Sequence, residues 1–325
     1  MSSRARRQPE PSSAARPVVV SGELFAPISP GMELCYQTYG DPDDEPLLLV
    51  MGLGGPMTWW DPELCTMLAR EGFYVIRYDN RDTGHSSRAS ARVGRTTLVR
   101  AFAGTRVRPP YTLNDMAEDG FGLLDHLDIE AAHVVGVSMG GMIAQTMAIA
   151  RPRRVRTLVS IMSTTGRRTV GWAHPGLLPA LVANRGGGRD AYVEATAATW
   201  RRIGSPAYPQ TDERIAARAG ETFDRGVSTS GVMRQMLAVI TQPNRGPRLH
   251  SLPMPALVLH GLADKMVHVS GGRATASAIP GAELLLIDGM GHDVPPELFD
   301  TFVGAIRRTA DRATTAGRSL PGDPS

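Results

Sequence analysis

The chain has 325 residues, a formal net charge of +3, 42% hydrophobic and 21% charged residues. That supports one large or two modest domains with a sizeable core and excludes a chain too polar to fold. No apolar run reaches membrane-span length, Arg4, Arg6 and Arg7 are not followed by a signal-type apolar segment, and two cysteines (Cys35, Cys65) make no disulfide framework. The expectation is a cytoplasmic protein with buried free thiols.

Residues 1–17 are rich in Ser, Arg and Pro, and with 313–325 they are expected to be disordered tails. Met32–Thr38 reads as an early strand, and Leu47–Met51 as a buried central strand because its apolar run is continuous. Trp59–Arg70 reads as a helix with Thr58 as cap and Pro62 in its first turn. Phe73–Tyr78 is the next strand, and Asp115–Leu127 a helix capped by Asn114. Ala132–Val137 and Leu158–Met162 are strands flanking a helical pattern, Gly141–Ala150. Pro255–His260 and Glu283–Ile287 are the last strands, and a helix over Pro296–Arg307 closes the fold.

This alternation predicts an α/β protein whose mostly parallel sheet carries helices on both faces. Residues 163–249 interrupt it with a helical, Ala- and Arg-rich stretch too long for a loop, read as a helical cap inserted after the sixth strand. The core is then 18–162 and 250–312. Six arginines (Arg88, Arg92, Arg95, Arg100, Arg106, Arg108) lie between Ser87 and Asn114 without an acid. They are read as a solvated face, since no nucleic-acid module accompanies them.

Gly136-Val137-Ser138-Met139-Gly140 is a G-x-S-x-G motif between a strand and a helix. In that setting the serine sits at the apex of a sharp turn, and side chains at the two glycines would crowd it. A serine hydroxyl is too weak an acid to attack unaided; it needs a histidine base, itself oriented by an acid. Of eight histidines, His292 follows Gly289-Met290-Gly291 just past a strand, at the sheet end where ligands bind. His260 lies inside a strand run and reads as structural, His85 reads equally as a pocket residue or a solvent-exposed one, and His268 is at best a supporting group. Asp264 follows the strand Leu257–His260, with Asp288 and Asp293 as rivals too close to His292 in sequence. The expected oxyanion donors are the backbone amides of Met139 and of Leu53, in the loop Met51-Gly52-Leu53-Gly54-Gly55-Pro56. Gly52, Gly54, Trp172 and Met266 are candidate pocket residues, and no metal site is expected.

With the elbow, Asp264, Gly291-His292, the Gly52–Gly55 loop and the segment Tyr78-Asp79-Asn80-Arg81-Asp82-Thr83-Gly84, the chain resembles the α/β-hydrolase superfamily over roughly residues 22–310. Within it the Met-Gly start of the oxyanion loop and Arg-Asp-Thr-Gly resemble the esterase group that includes the anthracycline methyl esterases. Many superfamily members have His-Gly where this chain has Met51-Gly52, so the hydrogen bonding behind the loop must differ. The resemblance implies an eight-stranded α/β-hydrolase fold. It implies ester hydrolysis through an acyl-enzyme on Ser138, with His292 as base and Asp264 orienting it, and no cofactor. The implied partner is a small-molecule ester, with a homodimer as the one protein assembly considered. The cap, with twelve arginines against six acids, is expected to set specificity, and Trp172, Trp200, Phe223, Met233 and Met236 line its pocket or form its core. Rival readings are a C–C hydrolase, lyase, acyltransferase or perhydrolase with the same triad, or a non-catalytic ligand-binding scaffold.

Overall fold

The computed structural model describes residues 17–177 and 187–318. The expected tails at 1–16 and 319–325, and Gly186 within the cap, lie outside the described residues. The strands are β1 (Leu24–Ser29), β2 (Met32–Tyr39), β3 (Glu45–Val50), β4 (Phe73–Tyr78), β5 (Ala132–Val137), β6 (Val155–Ile161), β7 (Ala256–Gly261) and β8 (Glu283–Ile287). They form one sheet in the order β1-β2-β4-β3-β5-β6-β7-β8. β1 with β2 and β2 with β4 pair antiparallel, and the other pairings are parallel.

The apolar run in β3 reflects burial on both faces. Successive side chains alternate across a strand. Leu48 and Val50 therefore join the core under the helices Leu113–His126 and Met139–Ala150, while Leu47 and Leu49 join the core under Pro62–Arg70 and the final helix. β1 has no clear sequence signature. Only Ala26 is buried on it, and Pro27 interrupts its pattern.

Two expected caps move. The first helix starts at Pro62, where the Asp61 carboxylate accepts from Glu63 N–H at 2.9 Å. Thr58 instead sits in a short 3-10 turn, and its buried hydroxyl has no hydrogen-bond partner among the described residues. At the second, Thr112 rather than Asn114 caps the helix through a reciprocal capping box with Asp115. The helix Arg95–Phe102 was not expected; its Leu98 and Ala101 pack on Leu237 of the cap. Arg92, Arg95, Arg100, Arg106 and Arg108 are exposed. The final helix runs over Phe299–Arg318, so residues 313–318 continue it instead of starting a tail. Its buried stripe, Phe302, Ile306 and Ala310, keeps it on the sheet beyond Arg307.

Among the described residues the helices between β6 and β7, in the stretch read as a cap, are Arg189–Ile203, Asp212–Asp224, Thr229–Thr241 and the short Gly246–Leu249. Met233 and Met236 pack into the cluster with Leu98 and Leu237, Trp200 meets Trp59 edge-on, and Phe223 lies against Tyr192.

His133 on β5 is buried, with Nδ1 2.8 Å from the Thr157 hydroxyl. Burial, helped by the charges of Arg156 and Arg307, pushes its pKa down to about 3. The unfolded chain takes up a proton at His133 near pH 6.5 and the folded chain does not. Stability contributed by the neutral ring is therefore present above about pH 6.5 and is lost as pH falls toward 3. The loss amounts to up to ~5 kcal/mol. Urea denaturation at pH 7 and pH 4 should show a clearly smaller stability difference for His133→Gln than for the wild type. Equal differences would remove His133 as the cause.

Candidate active site

Val137 ends β5 and Met139 opens the next helix, so the chain reverses at Ser138 alone. Its backbone takes φ 57° and ψ −118°, a strained conformation for a non-glycine residue that costs about 1–3 kcal/mol. The turn closes because its neighbours have no side chains. A Cβ on Gly136 would lie 2.1 Å from Gly140 O, and one on Gly140 would lie 2.0 Å from Val50 O. Ser138 N–H donates to Ile161 O at 2.9 Å, and the Ser163 hydroxyl donates to Ser138 O at 2.8 Å. The strained residue is thus held on both its backbone groups, by the end of β6 and by the segment just after it.

The Ser138 hydroxyl oxygen is 3.0 Å from His292 Nε2, and His292 Nδ1 is 2.8 Å from Asp264 Oδ2. Asp264 Oδ1 accepts the backbone N–H groups of Met266 at 2.8 Å and Val267 at 2.9 Å. Burial would raise the Asp264 carboxyl. The charge of His292 and hydrogen bonds from His260 and His292 outweigh it and hold the group well below the usual carboxylate range. His292 N–H donates to Ile203 O at 2.7 Å, so the cap fixes the histidine loop. The rival acids face elsewhere: Asp293 accepts from Ser205 and Gln210, and Asp288 accepts from Gly289 N–H.

The Gly52–Gly55 loop also meets the serine. A Cβ on Gly52 would lie 3.3 Å from Ser138 Cβ. Among the described residues neither Leu53 N–H nor Met139 N–H donates to another group of the chain. In place of a histidine at Met51, Asn80 Nδ2 donates to Met51 O at 2.9 Å. Gly54, a candidate pocket residue, has its N–H taken by Gln235 Oε1 of the cap at 2.8 Å and packs against Val232. Met266 is half-buried beside Asp264, and Trp172 is 50% exposed, stacked on His268 at 4.6 Å. His85 pairs with Glu23 at 2.7 Å on the surface, and His260 is buried with Nε2 donating to Val267 O.

The roles of Asn80, Gln235 and Ser163 were not legible in sequence. For Asn80 the Tyr78–Gly84 segment was the available signal; Gln235 and Ser163 had none, since their partners are remote in the chain.

Among the described residues one set of potential metal ligands converges: atoms of Glu23, Cys35 and His85 lie within 4.8 Å of one another. Arg225 donates to both Glu23 and Cys35 there. Burial, reinforced by Asp79 and Glu23, pushes the Cys35 thiol up to about 12, so it stays protonated. A cation would have to displace an arginine, and the donor set does not suit one. No helix among the described residues is long and apolar enough to cross a membrane.

Residues 45–297 match the alpha/beta hydrolase fold family. Rhodomycin D methylesterase DauP of Streptomyces sp. (strain C5) is 30% identical over 294 residues, covering 82% of this chain and 91% of that protein. Rhodomycin D methylesterase DnrP of Streptomyces peucetius is 28% identical, with 82% and 91% covered. The crystal structure of the enol-lactonase from Burkholderia xenovorans LB400 superposes with a TM-score of 0.68 at 24% identity, covering 89% of this chain and all of that one, and shares the fold. Family, sheet order and similarity agree with the motifs: this chain belongs to the α/β-hydrolase fold family.

Proposed function

We propose that the chain is a serine esterase that cleaves a small-molecule carboxylic ester through an acyl-enzyme. The hydrogen-bond path from Ser138 through His292 to Asp264 supports this reading most directly. His292 Nε2 takes the Ser138 proton as the serine oxygen attacks the ester carbonyl carbon. The resulting oxyanion is held by the N–H groups of Leu53 and Met139. Collapse breaks the C–O bond, and His292 returns the proton to the departing alcohol. Water, deprotonated by the same nitrogen, then attacks the acyl carbon and releases the acid and Ser138. Asp264 keeps the Nδ1 proton in place and balances the imidazolium charge.

The similarity to rhodomycin D methylesterases supports a methyl carboxylate as the scissile group, with methanol leaving. Two buried free cysteines support a reducing, cytoplasmic setting. Rapid mixing with p-nitrophenyl acetate should give a burst of nitrophenol, and quenched samples should carry an added acetyl group on the peptide containing Ser138. Turnover without that adduct on Ser138, under conditions where deacylation limits the rate, would overturn the mechanism. A panel of methyl, ethyl and aryl esters, read by alcohol release, tests the leaving group.

A further inference from the structure

We propose that Gln235 is the positioning residue of the oxyanion hole, so that the cap completes the catalytic centre as well as covering it. The inference rests on the reading of Leu53 as an oxyanion donor. Gly52 to Gly55 form a tight turn: Gly55 N–H donates to Gly52 O at 3.2 Å, and Gly54 sits at φ +67°. Positive φ at the third residue is the type II pattern. In such a turn the central peptide, here Leu53–Gly54, rotates toward the type I arrangement with little movement of the flanking residues. That rotation changes the backbone at Leu53 itself, next to the N–H that must aim at the substrate oxygen.

Gln235 blocks it. Its Oε1 accepts Gly54 N–H at 2.8 Å across 181 residues of sequence. The side chain is fully buried, and its Nε2 donates to Arg81 O at 2.8 Å and Thr83 Oγ1 at 2.9 Å. A carbonyl such as Arg81 O only accepts, so the amide nitrogen must face it and the amide oxygen must face Gly54. With the peptide rotated, the Leu53 carbonyl would oppose Gln235 Oε1, acceptor against acceptor. The other end of the loop is held by Asn80 Nδ2 on Met51 O. The neighbouring Arg234 grips Asp82 through two hydrogen bonds, at 2.6 and 2.8 Å, so the helix Thr229–Thr241 presents Gln235 from a fixed orientation.

The test uses the full chain, p-nitrophenyl acetate, and titration of reactive serine with a fluorophosphonate, so that rates are expressed per competent site. Gln235→Met keeps side-chain length and loses all three hydrogen bonds. Gln235→Glu keeps the acceptor and loses the donors that aim it. Both should lower kcat per titrated site about 10- to 100-fold, a part of the ~10²–10³ that one oxyanion donor contributes. KM should stay within threefold, and affinity for an aryl boronic acid, whose serine adduct carries the tetrahedral oxyanion, should fall in parallel with kcat/KM. A purely structural role would reduce the titrated fraction and leave kcat per site within twofold of wild type, and that result overturns the proposal. If the fluorophosphonate fails to label Ser138 in the wild type, the esterase reading itself has failed, which is a separate outcome.

Discussion

Ser138→Ala is expected to lower kcat on p-nitrophenyl acetate by about 10⁵–10⁶-fold, and Asp264→Asn by about 10⁴-fold. The second loss follows from how Asp264 is held. Its Oδ1 already accepts two backbone N–H groups, from Met266 and Val267. An asparagine must keep its carbonyl oxygen there, so its NH₂ must face His292 Nδ1. That nitrogen is then forced to accept, and the ring proton moves to Nε2. A protonated Nε2 cannot take the Ser138 proton, so the base is disabled while the geometry stays intact. Because the residues act as one unit, the double variant should be no slower than Ser138→Ala alone. Ser138→Ala within tenfold of wild type would remove Ser138 as nucleophile. An Asp264→Asn loss of less than about 10²-fold would mean that the acid does not set the tautomer.

The second large effect concerns stability. Asp82 is fully buried with its backbone at φ +69°, and it is satisfied by Nε and one Nη of Arg234, by the Tyr111 hydroxyl at 2.6 Å and by Ala89 N–H at 2.9 Å. Arg234→Met leaves that carboxylate buried without its counter-charge, and breaking a buried pair from one side costs about 3–5 kcal/mol. The double variant Arg234→Met with Asp82→Asn removes the stranded charge, so its loss should be well below the sum of the two single losses. Chemical denaturation of the four proteins measures the coupling. Simple additivity would show that the pair does not act as a pair. Arg234→Met should also loosen the helix Thr229–Thr241, which carries Gln235.

The parts of this protein written locally were legible in the chain. Glycines at 136 and 140 are required because neighbouring backbone lies about 2 Å from where their Cβ atoms would be, and that steric demand marks the elbow wherever it occurs. The continuous apolar run of β3 announces burial on both faces, and the residues just past β7 and β8 place an acid and a histidine at one end of the sheet. The helix caps were misread by a few residues because Thr58, Asp61, Thr112 and Asn114 are all competent caps. Only the direction of the entering chain selects among them. The helix Arg95–Phe102 carries little signal of its own because its buried face is narrow, Leu98 and Ala101, and is matched by residues remote in sequence, Met233, Met236, Leu237 and Ile240.

The sequence by itself determined the fold family and the sharp glycine-flanked turn at Ser138, since these depend on short-range sterics and on the order of strands and helices. Tertiary structure alone decided that Asn80 holds the Met51 carbonyl and that Gln235 reaches the Gly52–Gly55 loop. Those are hydrogen bonds between groups tens to nearly two hundred residues apart. A side-chain amide or carboxylate has no periodicity or steric signature that names its partner, so such pairings exist only once the chain has folded.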